Sequence, residues 1–377
     1  MQIDTVSLSN GGITARWKSG EQQFFSAFWL RDHCDDIASQ DSKTRQRLVD
    51  TFSIEPDIAV HSATLDSDSE RVELRWHDSS RNTISISQLQ RAAFSEQQSS
   101  AGERRYWSAS RALESLPEIA YEDVLSCEQG TLQWLELINR YGFAIVTGTE
   151  ASEQGAETLG GRISAPQRTI FGTYWPLSAD LSEHEDSAYS TQTLLPHTDG
   201  TYYHNASGLQ MFNCLEFDGT GGESVLVDGF AIAAEMKEHC PEHFETLCAV
   251  SVPGQYLEPG VHLYAERPVI RLNSHCELQQ VSFNNYDRAP MHMDENSLAA
   301  FYAAYAEFNR RSVDEANWLK IPLRAGMALI FDNWRCMHGR MGYSGKRTFY
   351  GCYHNRADYE SRLRTLRQTV NATTKED

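Results

Sequence analysis

With 377 residues, 40% hydrophobic and 11% aromatic, the chain can bury a large core, and its 24 Gly and 11 Pro exclude a disordered, collagenous or low-complexity protein. Its 52 acidic residues against 33 basic ones leave a formal charge of −19, spread along the chain, which repels nucleic acid and anionic membrane. No window approaches the roughly 18 uninterrupted apolar residues of a membrane span. The eight cysteines (Cys34, Cys127, Cys214, Cys240, Cys248, Cys276, Cys336 and Cys352) lack CxxC spacing, so reduced thiols are expected. Met1 to Asn10 has neither the layout of a secretory signal nor the composition of a transit peptide, which predicts a soluble, cytoplasmic protein.

In chain order, short period-two runs at Ile13–Trp17, Gln23–Leu30, Arg71–Trp76 and Thr83–Ile86 predict a small antiparallel β domain over residues 1–95. The polar stretch SEQQSSAG, residues 95–102, opens a linker-and-helix segment over 96–128. Pro117–Leu125, with Pro at a tolerated first position, and Thr131–Tyr141 predict helices, and Phe143–Thr147 a buried strand. Beyond them, strands are expected at Ser224–Val227, Val269–Leu272 and Ala328–Phe331, with helices at Phe230–His239 and Asn296–Arg311. No internal repeat is evident.

The most informative stretch is LLPHTDGTYY, residues 194–203, which sets His197 and Asp199 two positions apart. In a strand, alternate side chains share a face, so this imidazole and carboxylate can converge on one cation. His338 lies in FDNWRCMHGR, after an apolar strand ending at Phe331. Two His and one carboxylate on one face of an iron, with open positions opposite, is the arrangement of non-haem Fe(II) oxygenases. The plainer alternative makes His197 and Asp199 polar residues of a surface turn. Arg347, shortly after His338, tips the balance, because a dicarboxylate held beside iron needs a bidentate cation that Arg supplies better than Lys. Alone, Arg347 would be an ordinary surface charge.

FWLRDHC (residues 28–34), SKTRQR (42–47), HTDGTY, GTGGESVLVDGF (219–230), NNYDRA (284–289) and DNWRCMHGR with GCY make the chain resemble the γ-butyrobetaine and trimethyllysine hydroxylase family of Fe(II)/2-oxoglutarate dioxygenases, within the taurine dioxygenase superfamily. The resemblance spans nearly the whole chain. It implies a mainly β fold with flanking helices: a double-stranded β-helix (jelly roll) over residues 129–377, preceded by the small N-terminal β domain. It further implies Fe(II) held by His197, Asp199 and His338, the distal carboxylate of 2-oxoglutarate paired with Arg347, and Ser224 near that cosubstrate. The implied chemistry is oxidative decarboxylation to succinate and CO2, coupled to hydroxylation of an unactivated C–H bond.

By the same resemblance, Phe171, Trp175, Tyr189 and Tyr353 fall where relatives build an aromatic cage for a trimethylammonium group. Such a cation donates no hydrogen bond and is attracted by apolar contact and ring faces; the alternative is that each ring is ordinary core. Asp186 stands where butyrobetaine hydroxylases carry an Asn that holds a carboxylate, and it looks instead like the acid that meets an α-ammonium in trimethyllysine enzymes. A third branch hydroxylates 2-(trimethylamino)ethylphosphonate, whose dianion would call on Arg288, Asn285, and Tyr202 or Tyr203. An ion pair of Arg288 with Asp287 or Asp186 is the alternative. The first expectation is the phosphonate, hydroxylated β to the quaternary nitrogen, followed by butyrobetaine, giving carnitine, and by trimethyllysine. A non-catalytic quaternary-ammonium binding protein and a sulfonate oxygenase without a cage are the rivals.

Relatives also carry zinc in the N-terminal domain, on several Cys and one His. Of that set only Cys34 keeps its place; Ser39 and Ser80 occupy two others, and His33, His77 and Asp36 would make an improvised site. No structural zinc is expected. The resemblance implies a homodimer and a small-molecule substrate as the only partners.

Overall fold

The computed structural model describes residues 2–66, 68, 70–94, 103–108, 115–178 and 190–373. The chain divides into two compact units, residues 1–99 and 100–377.

The first unit holds two three-stranded antiparallel sheets. One is β1 (Ile3–Ser9), β2 (Gly12–Trp17) and β3 (Gln22–Phe25), followed by α1 (Ala27–His33); the other is β4 (Val60–Asp66), β5 (Arg71–Trp76) and β6 (Arg81–Ser85), followed by α2 (Ile86–Ala93). The run Gln23–Leu30 is not one strand. Ser26 accepts a hydrogen bond from the Trp29 N–H at 3.3 Å, caps α1, and turns Leu30 into the core as a helical residue. Trp17 and Trp76 anchor that core.

Around Cys34 and Ser39, where the resemblance places the zinc of relatives, the chain builds a hydrogen-bonded cluster instead. Asp36 accepts from the Thr83 N–H at 2.8 Å and from Asn82 Nδ2 at 3.0 Å, and the same amide reaches Ser39 Oγ at 3.3 Å. Burial works against the Asp36 charge, yet these donors hold the carboxyl below its ordinary value. Burial and the nearby Asp36 push the Cys34 thiol up to about 12, so it stays protonated. His33 stacks on Trp29, and His77 meets His61 edge-on. A single cysteine beside a carboxylate already engaged by amide donors does not supply the four ligands of a structural zinc ion.

In the second unit, β7 (Glu118–Ala120), α3 (Tyr121–Ser126), α4 (Glu128–Tyr141), β8 (Phe143–Thr147), α5 (Glu153–Gly161), β9 (Tyr174–Leu177), β10 (Leu194–His197), β11 (Leu209–Gly221) and β12 (Ser224–Asp228) come first. They are followed by α6 (Gly229–His239), α7 (Pro241–Ala249), β13 (Ser251–Glu258), β14 (Val261–Pro268), β15 (Ile270–Leu272), β16 (Leu278–Val281) and α8 (Glu295–Ser312). The chain ends with β17 (Leu319–Ile321), β18 (Met327–Asp332), β19 (Cys336–Arg340), β20 (Tyr343–His354) and α9 (Arg356–Thr373). The segment expected as a helix from Pro117 starts as strand β7, because its backbone pairs in parallel with β8; the helix begins only at Tyr121.

Two sheets form a jelly roll: a four-stranded one ordered β10-β19-β12-β17 and a six-stranded one ordered β7-β8-β18-β11-β20-β9. Phe143, Phe331 and Phe349 of the larger sheet pack with Leu226 and Cys336 of the smaller, so a core lies between the two. Period-two alternation sorts the rest: Val225, Val227 and Met337 turn outward against α6, α7 and α8. Ala144, Val146, Leu209 and Met211 face α4, α5 and α9. Among the described residues no helix is long and apolar enough to cross a membrane.

A buried ion pair pins the approach to β19. Arg335 donates to both oxygens of Asp228, at 2.7 and 3.1 Å, and to the carbonyls of Arg140 and Arg105. Asp228 also caps α6 through the N–H groups of Phe230 and Ala231. With both side chains at most 1% exposed, removing one partner strands the other charge. Arg335→Met is therefore expected to lower the free energy of unfolding in urea by about 3–5 kcal/mol; an unchanged midpoint would contradict this role.

Candidate metal centre

The end of β10 and the middle of β19 lie side by side, with His197 directly opposite His338 in the antiparallel register. Gly339 allows this approach, since a Cβ there would sit 2.4 Å from the Leu194 carbonyl oxygen. The imidazole centroids are 4.4 Å apart. Asp199 completes the set: its Oδ1 is 3.4 Å from His197 Nε2 and its Oδ2 3.6 Å from His338 Nε2. Ligand atoms of the three residues lie within 4.8 Å of one another.

Asp199 arrives by another route than strand alternation. β10 ends at His197, and Asp199 sits in the bend beyond it, before Gly200 with φ +73°. Its backbone is clamped by Asn333, whose Oδ1 accepts from the Asp199 N–H at 2.9 Å and whose Nδ2 donates to the Asp199 carbonyl at 3.0 Å. Thr198 is tied to Phe283 through the backbone at 2.8 Å and through its hydroxyl, which accepts from the Phe283 N–H at 2.9 Å.

The electrostatics suit a cation. His197 Nδ1 lies 2.8 Å from the Leu195 carbonyl, which can only accept, so that nitrogen carries the proton and Nε2 offers its lone pair to the site. Burial pulls His338 down to about 4, keeping it neutral. Burial opposes charge on His197 too, but the Asp199 carboxylate outweighs it and raises the imidazole above its ordinary value. Burial likewise works against ionised Asp199, yet the two imidazoles and the Tyr353 hydroxyl, 2.6 Å from Oδ2, hold it well below the usual carboxylate range. A neutral His338, a His197 that gives up one proton when its Nε2 binds, and a carboxylate on one side of a cavity fit a first-row divalent ion with positions left for other ligands.

The same cavity holds a second polar pole. Arg347 on β20 and Arg340 on β19 line it beside Ser224. Arg347 is buried over the Phe349 ring, 4.0 Å from its centroid, with no carboxylate within ion-pairing distance among the described residues. Burial and the Arg340 charge pull it down to about 9. A buried guanidinium in this state calls for an anion, and a dicarboxylate supplies one.

Of the other residues expected in the site, Phe171, Trp175, Tyr202 and Tyr353 line the cavity. Trp175 stacks on Tyr353 at 4.4 Å, and Phe171 and Tyr202 both meet Tyr256. Three residues lie elsewhere. Tyr203 accepts from the Ile170 N–H, Asn285 is exposed, and Arg288 lies over the rings of Tyr302 and Tyr305 at 5.3 and 5.2 Å. Asp186 and Tyr189 fall outside the described residues.

In their place the cavity shows Asn284, Tyr286 and Asp287, with Asn284 donating to the Asp287 carboxylate at 2.6 Å. Within NNYDRA the residues that line the cavity differ from those expected, because the segment is a loop and obeys no period. Arg340 could have been found, standing two residues after His338 on one strand face. Gln210, which also lines the cavity, carries no sequence signal.

Residues 98–353 match the family model of the taurine catabolism dioxygenase TauD, TfdA family, and residues 6–86 match that of the γ-butyrobetaine hydroxylase-like N-terminal region. The trimethyllysine dioxygenase of Meyerozyma guilliermondii is 32% identical, over 97% of this chain and 96% of its own. The mitochondrial trimethyllysine dioxygenase of Homo sapiens is 30% identical, over 94% and 88%, and the human γ-butyrobetaine dioxygenase 28%, over 94% of each. The chain belongs to the TauD/TfdA family and is a dioxygenase that works with Fe(II) and 2-oxoglutarate, which removes the pure binding protein as an alternative.

The imidazoles set a proton count for metal binding. Protonated His197 favours the metal-free fold below its ordinary pKa, and that contribution is lost as pH rises through the raised value, whereas His338 takes up no proton until about pH 4. Mn(II) affinity measured between about pH 5 and 6, below the ordinary histidine pKa and above that of His338, is expected to fall about tenfold per pH unit of acidification, the mark of one displaced proton. A hundredfold fall per unit would show both imidazoles protonating.

Proposed function

We propose that this dioxygenase hydroxylates a methylene carbon of a small trimethylammonium compound, with trimethyllysine as its preferred substrate. The observation that carries the class is the aromatic wall of Phe171, Trp175, Tyr202 and Tyr353 in the cavity that holds His197, Asp199 and His338. Ring faces attract a quaternary ammonium that no hydrogen bond can hold.

In this reading His197, Asp199 and His338 hold Fe(II), Arg347 pairs with the distal carboxylate of 2-oxoglutarate, and Ser224 lies beside it. Bound there, the iron and its cosubstrate supply the oxidising power for C–H hydroxylation, with succinate and CO2 as co-products. The residues around them bind, orient and exclude water. Trp175 and Tyr353, both buried, wall off solvent where the methylene must sit.

Charge ranks the substrates. Asp287 brings a carboxylate into the cavity, while Arg288, the cation on which the phosphonate expectation rests, is engaged with Tyr302 and Tyr305. Trimethyllysine, with an α-ammonium as well as its quaternary nitrogen, carries net positive charge; butyrobetaine is neutral and the phosphonate net negative. The carboxylate favours them in that order. Relatives 30–32% identical that are trimethyllysine dioxygenases support the same order.

Iron-loaded protein given 2-oxoglutarate, O2 and each compound separately is expected to show kcat/KM for trimethyllysine at least about tenfold above that for the phosphonate. Asp287→Asn is expected to narrow that ratio, and Trp175→Ala to raise KM for every trimethylammonium compound. Preferred turnover of the phosphonate would overturn the substrate, and turnover of sulfonates with Trp175→Ala unaffected would overturn the class.

A further inference from the structure

The aromatic wall and the metal ligands meet in one residue. Tyr353 stacks on Trp175 at 4.4 Å, and its hydroxyl is 2.6 Å from Asp199 Oδ2. We infer that Tyr353 is a positioning residue that fixes the rotamer of Asp199 through this hydrogen bond, and that Gln210 sets the direction of the bond. The inference rests on the reading of Asp199 as a metal ligand.

Gln210 on β11 and Tyr353 on β20 are direct cross-strand partners. Gln210 is 2% exposed, and its Nε2 lies 3.4 Å from the Tyr353 hydroxyl. An amide N–H only donates and an ionised carboxylate only accepts. The single phenolic proton must then point at Asp199, with Gln210 supplying the hydrogen bond that the phenol oxygen accepts. A reversed amide would compete with Asp199 for that one proton.

Asn333 already clamps the Asp199 backbone on both its N–H and its carbonyl, so side-chain rotation is the freedom left to the ligand. Tyr353 removes it. By taking Oδ2, the hydroxyl leaves Oδ1, on the His197 side, to meet a metal ion. Packing against Trp175 keeps the phenol ring from swinging away, and Tyr353 is only 7% exposed. The ring face that lines the substrate cavity and the hydroxyl that holds the carboxylate therefore move as one body.

Tyr353→Phe keeps the ring and deletes the hydroxyl, which separates the two roles. Calorimetric titration of the metal-free protein with Mn(II) is expected to show affinity weakened about 10–100-fold. KM for the trimethylammonium substrate should hold while kcat falls and more 2-oxoglutarate is consumed per hydroxylated product; a merely structural role would not split the parameters this way. Gln210→Leu, which leaves Tyr353 in place, should weaken Mn(II) by a smaller factor. Parent-like Mn(II) affinity in Tyr353→Phe, or in Gln210→Leu should the first variant not fold, would overturn the inference. Parent-like affinity in Asp199→Ala would instead overturn the metal-centre reading beneath it.

Discussion

The centre depends on one cross-strand pair, His197 opposite His338, where β10 lies against β19. A strand pair places opposed side chains within reach of a shared ligand, and a slip of one residue would turn them to opposite faces. The fold spends several contacts on preventing that slip. Gly339 removes the side chain that would push β10 away, Arg335 and Asp228 lock the entry to β19 in the core, and Asn333 fastens the bend that carries Asp199. The jelly roll supplies the rest, since alternation sends Met337 into the helical layer and its neighbour His338 into the cavity.

Charge in and around the cavity is arranged against the character of the whole molecule. The chain carries −19, yet Arg340 and Arg347 line the cavity and are drawn below their ordinary pKa by burial. A local pair of cations in an acidic protein draws in a small dianion. The aromatic rings and Asp287 that line the same cavity suit the opposite sign.

Much of this was legible in the residues. The triad and Arg347 stood in short motifs that point to a metal site only when taken together, Ser224 was implied by the family resemblance alone, and the strands observed at residues 143–147, 224–228 and 327–332 announced themselves by apolar runs. What was not legible depends on partners distant in sequence. Pro117 begins a strand because β8 offers an edge, and Gln210 enters the site because the β11–β20 register sets it opposite Tyr353. In the loop after β16, no period tells that Asp287 lines the cavity while Arg288 stacks on α8, since that placement is set by the packing of the loop and not by spacing. Tyr353 was legible as an aromatic wall, but its bond to Asp199 joins two motifs 154 residues apart.

The central claim is that these three side chains grip one divalent ion. Crystals grown anaerobically with Mn(II) and 2-oxoglutarate, measured for anomalous scattering from the metal, test it most directly. The account predicts one strong peak about 2 Å from His197 Nε2, His338 Nε2 and one oxygen of Asp199. A peak ligated elsewhere, or none at this cluster with the metal in excess, would contradict it.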